Sequence, residues 1–155
     1  MVVRSEQEAL FVACEMENAA VQLYSRALAV LDGQNRQSEP LYASIRKMLE
    51  DEQGHLCRFR SLYRGLDAAD ERQLILSAVG EGVLFEGGLM GAARRGLLRD
   101  VPGMLKLAME AERASIEKYR AFAANAQTDE ARDALLMIAN EEAVHLAELE
   151  AEMIS

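Results

Sequence analysis

Apolar residues recur at helical spacing in four long stretches of this chain, and polar turns separate the stretches. The first opens at Ser5, with Glu8 three residues later to complete a capping box, and runs to a stop at Asp32-Gly33. Its stripe passes through Leu10, Cys14, Val21, Leu28 and Leu31. After the polar loop GQNRQSE, Pro40 occupies a first-turn position, and a second helix continues to about Arg64-Gly65. Leu41, Ile45, Met48, Leu56, Phe59 and Leu62 form its stripe. A third helix follows Asp100, with Pro102 in its first turn and Leu105, Ala108, Ile116, Tyr119 and Phe122 on one face. The fourth starts near Thr128, where Asp129 and Glu130 favour the helix dipole, and carries Leu135, Ile138, Leu146 and Leu149. The expected spans are 5–32, 40–65, 101–126 and 128–153. Helices of roughly 25 residues, about 38 Å long, amphipathic and matched in length, predict an all-α four-helix bundle.

Residues 66–100 have a different character. Residues 69–79 read as a short helix, and glycines then fall at 80, 82, 87, 88, 91 and 96. A bare loop this long is unusual in a compact domain. The segment is therefore expected to be a partly helical crossover that travels the length of the bundle, so that helices two and three run parallel within one domain, 1–155. A mobile lid or an interface is the alternative for GGLMGAARRGLL.

A repeat lies inside the helices. Glu15-Met16-Glu17 followed by Tyr24 matches Glu110-Ala111-Glu112 followed by Tyr119. Likewise Asp51-Glu52-x-x-His55 matches Glu141-Glu142-x-x-His145, and these are the chain's two histidines. The sequence is thus two similar hairpins, each offering one lone glutamate and one Glu-x-x-His pair. Three helical residues leave two side chains about 60° apart on one face, one turn along, so a carboxylate and an imidazole can reach one ion. Seven residues place Tyr24 above Glu17 on the same inward face. Glu17, Glu52, His55, Glu112, Glu142 and His145 together offer four carboxylates and two imidazoles. Two divalent cations in a low-dielectric interior need that much opposite charge, and a carboxylate-rich set with one imidazole per ion suits iron or manganese. Asp51 and Glu141 are placed to accept a histidine's second N–H. Tyr24 and Tyr119 are placed to hydrogen-bond a carboxylate of the opposite half. A single Glu-x-x-His on a helix means little; the matched doubling is what points to a metal site.

Chain-wide properties narrow the partners. The formal net charge of −9 argues against nucleic acid, a polyanion. No stretch reaches the ~20 uncharged residues of a membrane span. MVVRSEQEALFVACEMENAA meets glutamates early and lacks a signal-peptide core, so a cytoplasmic location is expected. Cys14 and Cys57 are too few for a disulfide framework and are expected as small buried groups in a reducing compartment.

These motifs resemble the ferritin-like di-iron carboxylate superfamily across nearly the whole chain apart from the crossover. The resemblance implies that Glu17, Glu52, His55, Glu112, Glu142 and His145 are metal ligands, with Glu52 and Glu142 bridging two iron ions. Several departures locate the chain within that superfamily. Ser115 stands where rubrerythrins carry an additional glutamate, and there is no paired CxxC module. Gln53 stands where bacterioferritins carry a haem-binding methionine, so no haem is expected. The third-helix text MLKLAMEAERASIEKYRAF is most similar to the short rubredoxin-less rubrerythrin-like proteins. That resemblance implies reduction of H2O2 or O2 at a di-iron centre, ferroxidase activity as the nearest variant, a separate electron-donor protein and a homodimer. The alternative it leaves is an iron-binding or storage protein without turnover.

Overall fold

The computed structural model describes residues 3–154. Among them are six helices and no strand: α1 (Glu6–Gly33), α2 (Pro40–Leu62), α3 (Ala68–Gly80), α4 (Gly88–Arg94), α5 (Val101–Ala124) and α6 (Asp129–Ile154). The four long helices form the bundle, with α1 beside α2 and α5, and α6 beside α5 and α2. The end of α2 meets the start of α1, where Gln7 bonds the Leu62 carbonyl at 3.3 Å and the Arg64 amide at 2.7 Å. The start of α2 meets the end of α6 through Ser44 and Glu152. Helices α1 and α6 therefore run one way, and α2 and α5 the other.

Local chemistry sets the helix ends. The Ser5 hydroxyl accepts from the Glu8 amide at 3.1 Å, while Glu8 reaches back to the Arg4 amide at 2.8 Å. Asp100 caps α5 by accepting from the Gly103 amide at 2.8 Å. At the start of α6, Glu6 of α1 accepts from the Gln127 and Thr128 amides at 2.9 and 2.7 Å. A carboxylate at a helix N-terminus satisfies orphan donors and meets the positive end of the dipole. Helix α2 ends at Leu62, short of the expected 65, because Tyr63 turns extended and its hydroxyl bonds Glu71 at 2.6 Å.

The crossover contains two helices rather than one. Helix α3 packs on α1, burying Leu74 and Ala78. The glycine-rich part is not bare loop: Gly87 and Gly88 take positive φ of 73° and 67°, and α4 follows. Gly91 then passes so close to the Glu86 carbonyl that a Cβ there would lie 1.9 Å from its oxygen. Only glycine permits that approach. With Gly91 and Ala92 buried, this segment lies packed along α1.

The buried apolar residues form two clusters, one at each end of the bundle. The first gathers Leu10, Phe59, Tyr119, Leu135 and Ile138; the second Leu31, Ile45, Met48, Met104 and Leu149. Between them lies a polar layer. Cys57 is exposed and Cys14 half-buried, which corrects the expectation for Cys57. It lies on the outer side of α2, two residues from the buried His55 and Phe59.

Candidate metal centre

The polar layer exists because each long helix carries its acidic group where a core residue would otherwise sit. On α1 the buried line runs Leu10, Ala13, Glu17, Tyr24, Ala27 and Leu31; on α2 it runs Ile45, Met48, Glu52, His55 and Phe59. Helix α5 repeats the arrangement with Glu112 between Ala108 and Tyr119, and α6 with Glu142 and His145 between Ile138 and Leu149. Glu17, Glu52 and Glu142 are 1% exposed, Glu112 and His145 2%, and His55 5%. Charged side chains are almost never this buried unless something compensates them.

All six sequence-predicted residues meet in this layer as two overlapping groups. Glu17, Glu52, His55 and Glu142 make one, and Glu52, Glu112, Glu142 and His145 the other, with the donor atoms of each within 4.8 Å of one another. Glu52 and Glu142 belong to both, which is the position a bridging carboxylate holds. The two imidazoles lie near-parallel, with ring centroids 6.0 Å apart.

The hydrogen bonding divides each side chain into a held end and a free end. The Tyr24 hydroxyl donates to Glu112 Oε1 at 2.6 Å, leaving Glu112 Oε2 without a partner. The Tyr119 hydroxyl donates to Glu17 Oε1 at 3.0 Å, leaving Glu17 Oε2 likewise. Both tyrosines thus serve the opposite hairpin. The histidines follow suit: His145 Nε2 pairs with Asp51 Oδ2 at 3.0 Å, and His55 Nε2 with Glu141. An ionised carboxylate only accepts, so Nε2 carries the proton and donates. Nδ1 of each imidazole is left free. Glu52 Oε1 and Glu142 Oε1 complete the set of orphaned buried side-chain atoms, one from each of the six residues. His55 Nδ1 comes within 2.7 Å of Glu142 Oε1, yet without the alignment a hydrogen bond requires. The free ends converge rather than pair off. Buried polar atoms are normally satisfied, and six orphans facing one another fit a pair of cations.

Titration behaviour has the same origin. Burial, then the neighbouring Glu52, pushes Glu17 well above the usual carboxylate range. Burial, then Glu17 and Glu52, does the same to Glu142. Glu52 goes the other way: burial raises it, but the adjoining imidazoles of His145 and His55 prevail and hold it low. Burial pulls the imidazoles down, yet the surrounding carboxylates outweigh it and bring His55 to about 10 and His145 to about 11. Without metal, protons take over part of the charge compensation. Burial and Glu112 raise Tyr24 well above its usual value, and burial and Glu17 do so for Tyr119, so both remain hydrogen-bond donors.

A helical bundle with two Glu-x-x-His helices, two single-glutamate helices and a shared pair of carboxylates defines a ferritin-like di-metal protein. A family model for rubrerythrin matches residues 8–153, and the chain belongs to that family. No curated protein and no solved structure matches it.

The sequence did not indicate that each outer acid reaches across to the histidine of the other hairpin, because spacing along one helix cannot show which neighbour it faces. Nor did it single out the role of Lys47, which pairs with Asp51 at 2.9 Å. Ser115 is buried on α5, one turn beyond Glu112.

Proposed function

We propose that the chain is a di-iron oxidoreductase that reduces hydrogen peroxide to water, or dioxygen to hydrogen peroxide, with ferroxidase turnover as its nearest variant. The observation that carries this reading is the set of six orphaned donor atoms, one on each of Glu17, Glu52, His55, Glu112, Glu142 and His145. Two ferrous ions held there would supply two electrons together, the number needed to take one peroxide and two protons to two waters. The oxygen-rich donor set favours iron or manganese.

The chain's own residues do the rest. Glu52 and Glu142 span both positions, while Glu17 with His55, and Glu112 with His145, complete one position each. Asp51 and Glu141 fix ring orientation and tautomer, so that Nδ1 presents a lone pair inward once its proton is displaced. Tyr24 and Tyr119 hold one oxygen of Glu112 and Glu17, so those carboxylates enter the site already oriented. The two apolar clusters on either side keep bulk water away. The reading places the protein in the cytoplasm as a small oligomer, a homodimer, drawing electrons from a separate donor protein.

The test is an anaerobic Fe(II) titration of metal-free protein, followed by one addition of H2O2 with the near-UV spectrum recorded. Saturation near two irons per chain and a fast ferric charge-transfer band are expected. Saturation well away from two, or binding with no oxidation, overturns the reading.

A further inference from the structure

The two-electron chemistry proposed above needs electrons from outside, and the protein surface offers a place suited to receive their carrier. Arg26 of α1, Arg94 and Arg95 at the end of α4, and Arg99 line an open concavity of about 400 Å³. Four of the chain's 17 Lys and Arg residues gather here, in a chain with 26 acids. All four are exposed. Some cationic groups elsewhere pair with carboxylates, as Arg36 does with Glu39, Arg113 with Glu150, Arg132 with Asp129 and Lys118 with Glu81. Among the described residues none of these four does. Arg95 Nη1 donates a hydrogen bond to the Glu86 carbonyl at 3.2 Å. The nearest acid in sequence, Asp100, is occupied in capping α5.

The surroundings add apolar area. Met90 is 66% exposed and Leu97 38%. Met90 lies four residues before Arg94, hence on the same face of α4. Exposed methionine and leucine among arginines have the composition of a protein–protein contact, where Arg and Met are enriched. The position fits electron delivery as well. Arg26 follows Glu17 by nine residues on α1, about 14 Å of helix rise, and follows by two the Tyr24 that bonds Glu112.

Resting on the di-iron reading, we infer that this arginine patch is the docking site of a small acidic one-electron donor protein. The charge distribution favours that occupant. A compact acidic partner meets a net-negative protein and is attracted where four arginines gather around a concavity, which biases its approach toward that face. An extended polyanion such as a nucleic acid would run on from the patch over acidic surface. A free phosphate makes no use of Met90 and Leu97. Each encounter oxidises the donor by one electron, and two encounters return the two electrons that one peroxide consumes.

The experiment uses iron-loaded protein oxidised with H2O2 and then mixed with a chemically reduced, acidic rubredoxin at several salt concentrations. Two triple variants accompany it: Arg26→Glu/Arg94→Glu/Arg99→Glu, and the same three positions changed to lysine. The glutamate variant is expected to be reduced at least about tenfold more slowly at low salt, with a flattened salt dependence. The lysine variant should stay close to wild type, and peroxide oxidation should be equal in all three. Chemical-shift changes on adding oxidised rubredoxin to metal-free protein give a second readout. They should cluster at Met90, Arg94, Leu97 and Arg99, and vanish in the glutamate variant. Reduction of the glutamate variant at the wild-type rate overturns the inference. So does loss of the protein's own oligomer in that variant with donor kinetics unchanged, or sub-millimolar binding of inorganic phosphate with no response to rubredoxin. Failure of wild type to bind iron or to be oxidised counts against the di-iron reading instead, and the metal-free binding measurement still decides the docking site.

Discussion

Asp51 on α2 accepts a hydrogen bond from Nε2 of His145 on α6, 3.0 Å away, rather than from the histidine of its own helix. Glu141 does the same in reverse for His55. The two hairpins are thereby cross-braced, and each half of the site depends on the other for its geometry. Loss of such an outer partner lowers metal affinity about 10–100-fold in comparable sites. Asp51→Ala is therefore expected to weaken metal binding by that factor, chiefly at the position completed by Glu112 and His145. Glu141→Ala should weaken the position completed by Glu17 and His55. Lys47→Ala removes only an exposed partner of Asp51 and should change affinity little. Calorimetric titration with Mn(II) measures all three, and equal affinities for Asp51→Ala and wild type would sink the bracing argument.

Tyr24 is the clearest test of how the carboxylates are held. Its hydroxyl satisfies Glu112 Oε1 inside a buried layer. Tyr24→Phe leaves that oxygen buried and unpaired, a change that destabilises by about 1–3 kcal/mol. For a chain of this size each kcal/mol lowers Tm by about 2–4 °C. A thermal melt of the metal-free variant that matches wild type would show that Glu112 is held by something else.

The elements and the six converging residues were legible in the sequence for one reason: the motif is doubled, and helical spacing fixes which side chains share a face. The exact core stripe was less legible. On α1 the apolar residues Cys14, Val21 and Leu28 suggested a line, but each is half-buried. The buried line passes instead through Glu17 and Tyr24, because the charged ligand candidates occupy core positions that a hydrophobic pattern skips. Helix α4 escaped notice because its glycines signal loop. They are needed there for positive φ at Gly87 and Gly88 and for the close pass of Gly91 over Glu86. Which outer acid faces which histidine depends on how helices are arranged across the bundle, and spacing within a single helix carries no such information.

The protonation of the layer sets a pH dependence with a definite sign. His55 and His145 rise from 6.5 to about 10 and about 11 on folding. A raised pKa contributes stability that is complete below the unfolded value and is lost as pH climbs through the folded one. Glu17 and Glu142, also raised, contribute in the same direction. Glu52, held low, contributes above 4.5 and loses its contribution only in acid. Metal-free protein should therefore lose stability steadily from about pH 7 toward pH 10. Bound cations replace the displaced protons, so the rise in Tm on adding Mn(II) should grow over the same interval. Melts of both forms at three pH values check this; a metal-induced increment that shrinks with rising pH would contradict it.

The sharing of Glu52 between the two groups separates a paired site from two independent ones. Glu17 belongs to one group alone, whereas Glu52 belongs to both. Glu17→Ala should impair one position and leave the other with Glu52, Glu112, Glu142 and His145, so binding falls from about two ions toward about one. Glu52→Ala removes a donor from each position together with the residue that both histidines hold ionised. Binding of both ions should then fall together, with affinity at each reduced by far more than the loss of an outer partner produces. Its metal-free form should be less stable than wild type, because the two buried imidazolium groups lose the ionised carboxylate that compensates them. Stoichiometry by Fe(II) titration under anaerobic conditions and a metal-free melt decide the matter. One tight ion retained by Glu52→Ala would show that the two positions do not share that carboxylate.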